Sequence, residues 1–170
     1  MTSDAPGQRA ITDTRAFKVM RTLVGLANPL MRRMIASRFG GPLARNILLL
    51  EFRGRRTGKP FRTPVGYVRD GDRIVIVTSP TYRWWKNVGG GAPVRVRVAE
   101  GWRTGHARVL LPDDPAYDGA VATQVGLRGP GMLRSFGVAV DDNGRLDPDA
   151  RAAAPSRAHI VEIALDPTAP

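Results

Sequence analysis

The chain has 170 residues, 42% apolar and 24% charged, which suits one soluble domain able to bury a core without covalent staples. It holds no cysteine and two histidines, which excludes disulfides, thiolate nucleophiles and Cys-ligated zinc or iron–sulfur centres. The net charge of +11 is uneven: twelve Lys/Arg face three acids in residues 1–60, nine face three in 61–111, and five face nine from 112 onward. An acidic last third does not suit a uniformly basic nucleic-acid binder. The excess charge points instead to a localised anionic partner, which could be a phosphorylated cofactor, a membrane surface or nucleic acid.

Residues 1–14 read as a polar, flexible leader without the basic start and apolar run of a secretory signal. The apolar run Ile47-Leu48-Leu49-Leu50 is far too short to span a bilayer, so a cytoplasmic protein is expected. Phe17, Met20, Leu23, Val24, Ala27, Leu30, Met31, Met34 and Ile35 recur in three- and four-residue steps, with Lys18, Arg21, Arg32, Arg33 and Arg38 opposite. This predicts amphipathic helices divided at Asn28-Pro29 and stopped by Gly40-Gly41-Pro42. Residues 15–38 either pack on the rest of the domain or touch an anionic membrane surface.

From residue 47 the pattern becomes that of strands. Ile47–Arg53, Phe61–Val68 and Arg73–Thr78 read as the first three, with Asp70-Gly71 a strong hairpin signal. Val94–Val98 alternates strictly and turns at Glu100-Gly101 into Trp102–Leu111. Within Pro80–Pro93, Trp84–Val88 suits a short helix followed by a flexible loop at Gly89-Gly90-Gly91. A helix is predicted from Asp113/Asp114-Pro115 to about Gly126, a loop over Asp141–Pro155 and a last strand at His159–Leu165; Arg128–Gly137 has no clear pattern. Six strands joined mostly as hairpins predict an antiparallel barrel, mainly β or α+β, in one domain over residues 15–170.

The basic turn Gly54-Arg55-Arg56-Thr57-Gly58-Lys59-Pro60 is the leading site candidate. Its glycines let backbone amides approach an anion, and two guanidiniums, an ammonium and a hydroxyl add donors. It is not a Walker A loop, which has four residues between the glycines and Ser or Thr after the Lys. The plain alternative is a solvated basic hairpin. Pro64 donates no ladder hydrogen bond, so Thr63-Pro64-Val65 suggests a bulge or a free edge. Trp84 and Trp85 suit ring stacking or core packing, and Asn87 carries an amide able to read a ligand edge. Tyr67 and Tyr82 are the candidate proton donors. His106 reads as a half-exposed structural residue, and no Ser/His/Asp arrangement stands out.

The ordered set from Leu48-Leu49-Leu50-Glu51-Phe52-Arg53 through the basic turn, Thr63-Pro64-Val65, Arg69-Asp70-Gly71-Asp72, Val77-Thr78-Ser79, Trp84-Trp85-Lys86-Asn87 and Pro93-Val94-Arg95-Val96 resembles the deazaflavin (F420)-dependent nitroreductase family of actinobacteria, relatives of the split-barrel flavin-binding oxidoreductases. The resemblance covers roughly residues 15–111. It implies a split β-barrel that binds coenzyme F420, a deazaflavin with a phospholactyl-oligoglutamate tail, and transfers hydride to quinones, nitroaromatics or other conjugated electrophiles. By that likeness Arg55, Arg56, Thr57, Gly58 and Lys59 would hold the anionic tail. Thr63, Pro64, Val65, Thr78 and Ser79 would lie along the ring and its ribityl chain, and Trp84, Trp85 and Asn87 would complete the site. The chain departs from the family in Pro80-Thr81-Tyr82-Arg83, in its three glycines, and at Gly66, where a tyrosine is expected. FMN is the alternative cofactor, and a non-enzymatic basic barrel the alternative function. The implied partners are a small-molecule electron acceptor and a second copy of the chain; nucleic acid is not favoured.

Overall fold

A computed structural model describes residues 46–167. Its centre is one antiparallel sheet of seven strands: β1 (Ile47–Arg53), β2 (Pro60–Gly66), β3 (Val68–Asp70), β4 (Arg73–Thr78), β5 (Gly90–Val98), β6 (Gly101–Leu110) and β7 (His159–Leu165). The strand order is β2-β1-β5-β6-β7-β4-β3, all neighbours antiparallel, and the sheet curls so that β2 also approaches β4. A 3-10 helix (Trp84–Asn87) precedes β5, and α1 (Tyr117–Arg128), α2 (Gly131–Ser135) and α3 (Pro148–Arg157) lie between β6 and β7.

Alternation decides which residues enter the core. Leu48, Leu50 and Phe52 of β1 share the inner face with Val94, Val96 and Val98 of β5, Ile74 and Ile76 of β4, and Val161 and Ile163 of β7. Leu48, Leu50 and Ile74 are wholly buried, each stabilising the fold by about 1.5–3 kcal/mol. On the other side of β3, β4, β6 and β7, Val68, Val75, Leu110 and Ile160 pack under Tyr117, Ala120, Val121 and Val125 of α1. The sheet is therefore lined on its inner face and covered by helices on the outer face of β3, β4, β6 and β7.

The β3–β4 hairpin forms where Asp70-Gly71 predicts it, with Asp70 opposite Arg73 and Gly71 at φ 58°. The strand count is seven rather than six, because the expected strand Phe61–Val68 breaks at Tyr67. There the backbone N–H leaves the ladder and donates to the Asn46 carbonyl at 3.1 Å, so the chain passes from one edge of the sheet to the other. Strand β5 begins at Gly90, not Val94; the glycines join the ladder through a register shift between Gly90 and Ala92 instead of forming a loop. Part of the expected loop 141–155 is helical. Asp147 accepts the Ala150 N–H at 2.7 Å, and Pro148 takes the first helical position, where a missing N–H costs nothing. Helix α1 starts at Tyr117, later than expected, because Asp114 first turns the chain by accepting the Ala116 N–H. The expected leader 1–14 and the helices over 15–38 lie outside the described residues. Among the described residues no helix is long and apolar enough to cross a membrane.

Candidate functional site

Strand register gathers most of the candidate residues at one end of the sheet. The basic turn links β1 to β2 there, Phe52 of β1 opposes Val94 near the start of β5, and Thr78 at the end of β4 opposes His159 at the start of β7. The 3-10 helix crosses the same end between β4 and β5. Thr63, Pro64 and Val65 lie further along β2, opposite Leu50, Leu49 and Leu48. The ladder around Pro64 is unbroken and β2 is an edge strand, so the proline marks a free edge and not a bulge.

The turn holds its shape through its own backbone. Gly54 donates to the Lys59 carbonyl at 2.8 Å, while Thr57 and Gly58 donate to the Gly54 carbonyl at 3.2 and 2.7 Å. Lys59 donates its N–H to Thr57 Oγ1 at 3.4 Å, and Arg53 reaches the Gly58 carbonyl at 3.1 Å. Gly58 sits at φ 65°, and a Cβ on Gly54 would come within 2.8 Å of the Phe61 ring. The sequence suggested a cradle of amides, but these amides are largely used inside the turn. What it presents outward is side chains. Arg55, Arg56 and Lys59 are exposed, and among the described residues none of them has a carboxylate partner.

Asn87 is half-buried, and both ends of its amide are engaged within the protein. Its Oδ1 accepts the Arg55 N–H at 3.1 Å, and its Nδ2 donates to the Trp84 carbonyl at 3.2 Å. Both tryptophans are partly buried against the inner core. Trp84 meets Phe52 with centroids 6.4 Å apart, and Phe52 in turn stacks on Phe61 at 5.8 Å. Trp85 lies 4.0 Å from the His159 ring, has the Lys86 ammonium 5.3 Å from its own, and donates Nε1–H to the Pro80 carbonyl at 3.4 Å. Thr78 is buried; Ser79 bonds Thr81 through their hydroxyls at 2.8 Å.

Tyr67 is a core residue, its phenol pushed up mainly by burial and then by the Glu100 carboxylate. Tyr82, half-buried in the segment after β4, is the more accessible phenol. Two residues of this end lacked a functional reading in the sequence. Phe61 is 48% exposed despite its size, resting on Phe52 beside the turn. His159 is held below the ordinary imidazole value by burial and by the charge of Lys86. Phe61 read simply as the start of a strand, and His159 acquires its surroundings only through pairing with β4.

A depression of about 490 Å³ lies beside the turn, lined in part by Glu51, Arg53, Arg95, Thr104, His106 and Asp166. Its charges are largely matched. Glu51 binds Arg62 at 2.6 Å and Arg95 at 3.1 Å, and although burial pushes its carboxyl up, these two arginines bring it below its usual range.

The described residues thus form a curled antiparallel sheet with unmatched cations and one exposed aromatic ring, Phe61, at one end. A model of the family described as F420H(2)-dependent quinone reductase matches residues 27–122, more than half of the chain. The chain belongs to that family: it is an F420-dependent reductase, and coenzyme F420 is its cofactor. No curated protein sequence matches it.

The chain is also similar to solved structures. One, described as a domain-swapped dimer, is 17% identical with a TM-score of 0.50, covering 87% of this chain and 98% of its own. An F420-H2 dependent reductase, FDR-A, is 18% identical over 70% of this chain and 94% of its own, with a TM-score of 0.48. HutZ, a heme storage protein from Vibrio cholerae, is 10% identical over 83% of this chain and 91% of its own, with a TM-score of 0.49.

The donor set suits the cofactor. A phosphate and a chain of carboxylates call for several cations without competing carboxylates, and the turn offers them.

Proposed function

We propose that the protein passes a hydride from reduced F420 to a planar conjugated acceptor, a quinone before a nitroaromatic, with the cofactor's anionic tail held by the Gly54–Pro60 turn. The observation that carries this is the unmatched charge of Arg55, Arg56 and Lys59, in a protein whose other arginines are so often ion-paired. When bound, the reduced deazaflavin supplies the hydride.

The chain's own residues bind and orient. Arg55, Arg56 and Lys59 attract the phosphate and the tail carboxylates, with Thr57 adding a hydroxyl. Gly58 keeps the turn open by tolerating a left-handed backbone. Phe61, backed by Phe52 and Trp84, offers an apolar surface that favours flat, weakly hydrated rings. Thr63, Pro64, Val65, Thr78 and Ser79 are proposed to border the ring and ribityl chain; Trp85 and Asn87 support the site from behind. Tyr82 or water supplies the proton that completes reduction of the acceptor. Residues 15–170 are taken as one domain, and a homodimer is the assembly we expect, by likeness to the neighbour described as a domain-swapped dimer.

Fluorescence titration with F420 and with FMN tests this reading. F420 should bind the more tightly, with affinity falling as salt rises, because exposed charges are screened over about 8–10 Å at physiological ionic strength. A quinone should then be reduced faster than a nitroaromatic by the F420-loaded protein. Preference for FMN, or salt-independent binding, would overturn the assignment of the tail to the turn.

A further inference from the structure

We infer that Asn87 is a positioning residue that sets the affinity for the cofactor's anionic tail without touching it, by tying the basic turn to the 3-10 helix. The inference rests on the reading of the turn as the tail site and adds the device that holds the turn in place.

The geometry is specific. Asn87 lies 32 residues from Arg55, yet its Oδ1 takes the Arg55 backbone N–H at 3.1 Å. Its Nδ2 meanwhile donates to the Trp84 carbonyl at 3.2 Å. Turning the amide over would set donor against donor and carbonyl against carbonyl, so the orientation is fixed by its partners. Among the described residues, this amide is the hydrogen-bonded link between turn and helix. The helix itself is anchored, because Trp84 packs on Phe52 and Trp85 on His159.

The turn's internal bonds and the ladder up to Arg53 and Pro60 fix its shape and join it to β1 and β2, and the Arg55 N–H ties it in addition to the 3-10 helix. That bond falls at the outer part of the turn, beyond the last ladder pair, where the cationic side chains are carried. A side chain on a tethered turn loses less freedom on binding than one on a loose turn, so the tether strengthens binding of whatever the cations hold. The bond also leaves the Arg55 guanidinium free, since it uses only the main chain.

The test compares F420 with the same deazaflavin riboside lacking phosphate and glutamates, by fluorescence titration of the purified protein. Asn87→Ala should weaken F420 by about tenfold, the scale of one hydrogen bond, and leave the tail-less compound within about twofold. In a protein already carrying Arg55→Ala, Arg56→Ala and Lys59→Ala, adding Asn87→Ala should change F420 affinity no further. Equal losses for both ligands, no loss for either, or strict additivity would overturn the inference. If the triple variant alone binds F420 like the unchanged protein, the turn is not the tail site, and that reading fails first. A second pair probes the same bond from the other partner. Arg55 is the second residue of the turn closed by Thr57 N–H on the Gly54 carbonyl, a position that accepts proline. Arg55→Pro removes side chain and N–H together, and Arg55→Ala removes only the side chain. Arg55→Pro should bind F420 about tenfold more weakly than Arg55→Ala; equal affinities would overturn the inference.

Discussion

Two sets of arginines in this molecule are used in opposite ways. On and around the sheet, Arg73 and Arg108 share Glu162, with Arg108 also on Asp114, while Arg62 and Arg95 share Glu51. At the β1–β2 turn, two exposed arginines and a lysine stand without carboxylates among the described residues. Matched charge joins strands, and the unmatched charge of the turn is what the proposed tail site rests on. The protein's net charge of +11 is therefore a poor guide to its partner until one knows which cations are already occupied.

Four changes would break or sharpen this contrast. The largest effect is expected from reversing the turn: Arg56→Glu with Lys59→Glu should cost F420 at least about a hundredfold in affinity, near 3 kcal/mol, with little change in melting temperature. A large drop in melting temperature would make the turn structural. Glu162→Ala should do the converse. It leaves Arg73 without a carboxylate and Arg108 with Asp114 alone, and chemical denaturation should report a loss of about 1.5–3 kcal/mol with F420 affinity unchanged.

Glu51→Gln should act on stability through pH. The carboxyl's native value is below its ordinary 4.5, so its contribution is complete above 4.5 and disappears as pH falls through the native value. The substitution should flatten that acid limb by about 1 kcal/mol or less. The smallest effect belongs to His159. Its imidazole is depressed below 6.5, so the unfolded chain takes up the proton first as pH falls. Stability should decline below pH 6.5 and level off beneath the native value, and His159→Gln should remove that slope in denaturation curves collected across the range.

The hairpins were legible because local chemistry specifies them: glycine at a left-handed turn after Asp70, and the alternation Val94-Arg95-Val96-Arg97-Val98. The break at Tyr67 was not, since nothing in Gly66-Tyr67-Val68 announces that its N–H will turn to Asn46. Helix α3 did carry a signal in Asp147-Pro148 ahead of four alanines, but few larger apolar residues and an internal Pro155 obscured it. At the site, the composition of the turn stood out from the sequence alone. That its amides are used internally, and that Asn87 grips it from 32 residues away, depends on contacts formed only in the folded chain.

The bend at Tyr67 has a mechanical consequence. The first and last strands of the sheet, β2 and β3, are consecutive in sequence with one residue between them, so the two rims of the barrel are fastened by a single clasp. An open sheet normally leaves two rows of unpaired backbone groups at separate borders, each a template for a stray strand. Here both borders meet at one seam, pinned at its closed end by Arg128, which bonds the Tyr67 carbonyl at 2.9 Å and Asn46 Oδ1 at 2.6 Å. Among the described residues, β2 and β3 are thus held together at that clasp by covalent connection as well as by the Arg128 bonds.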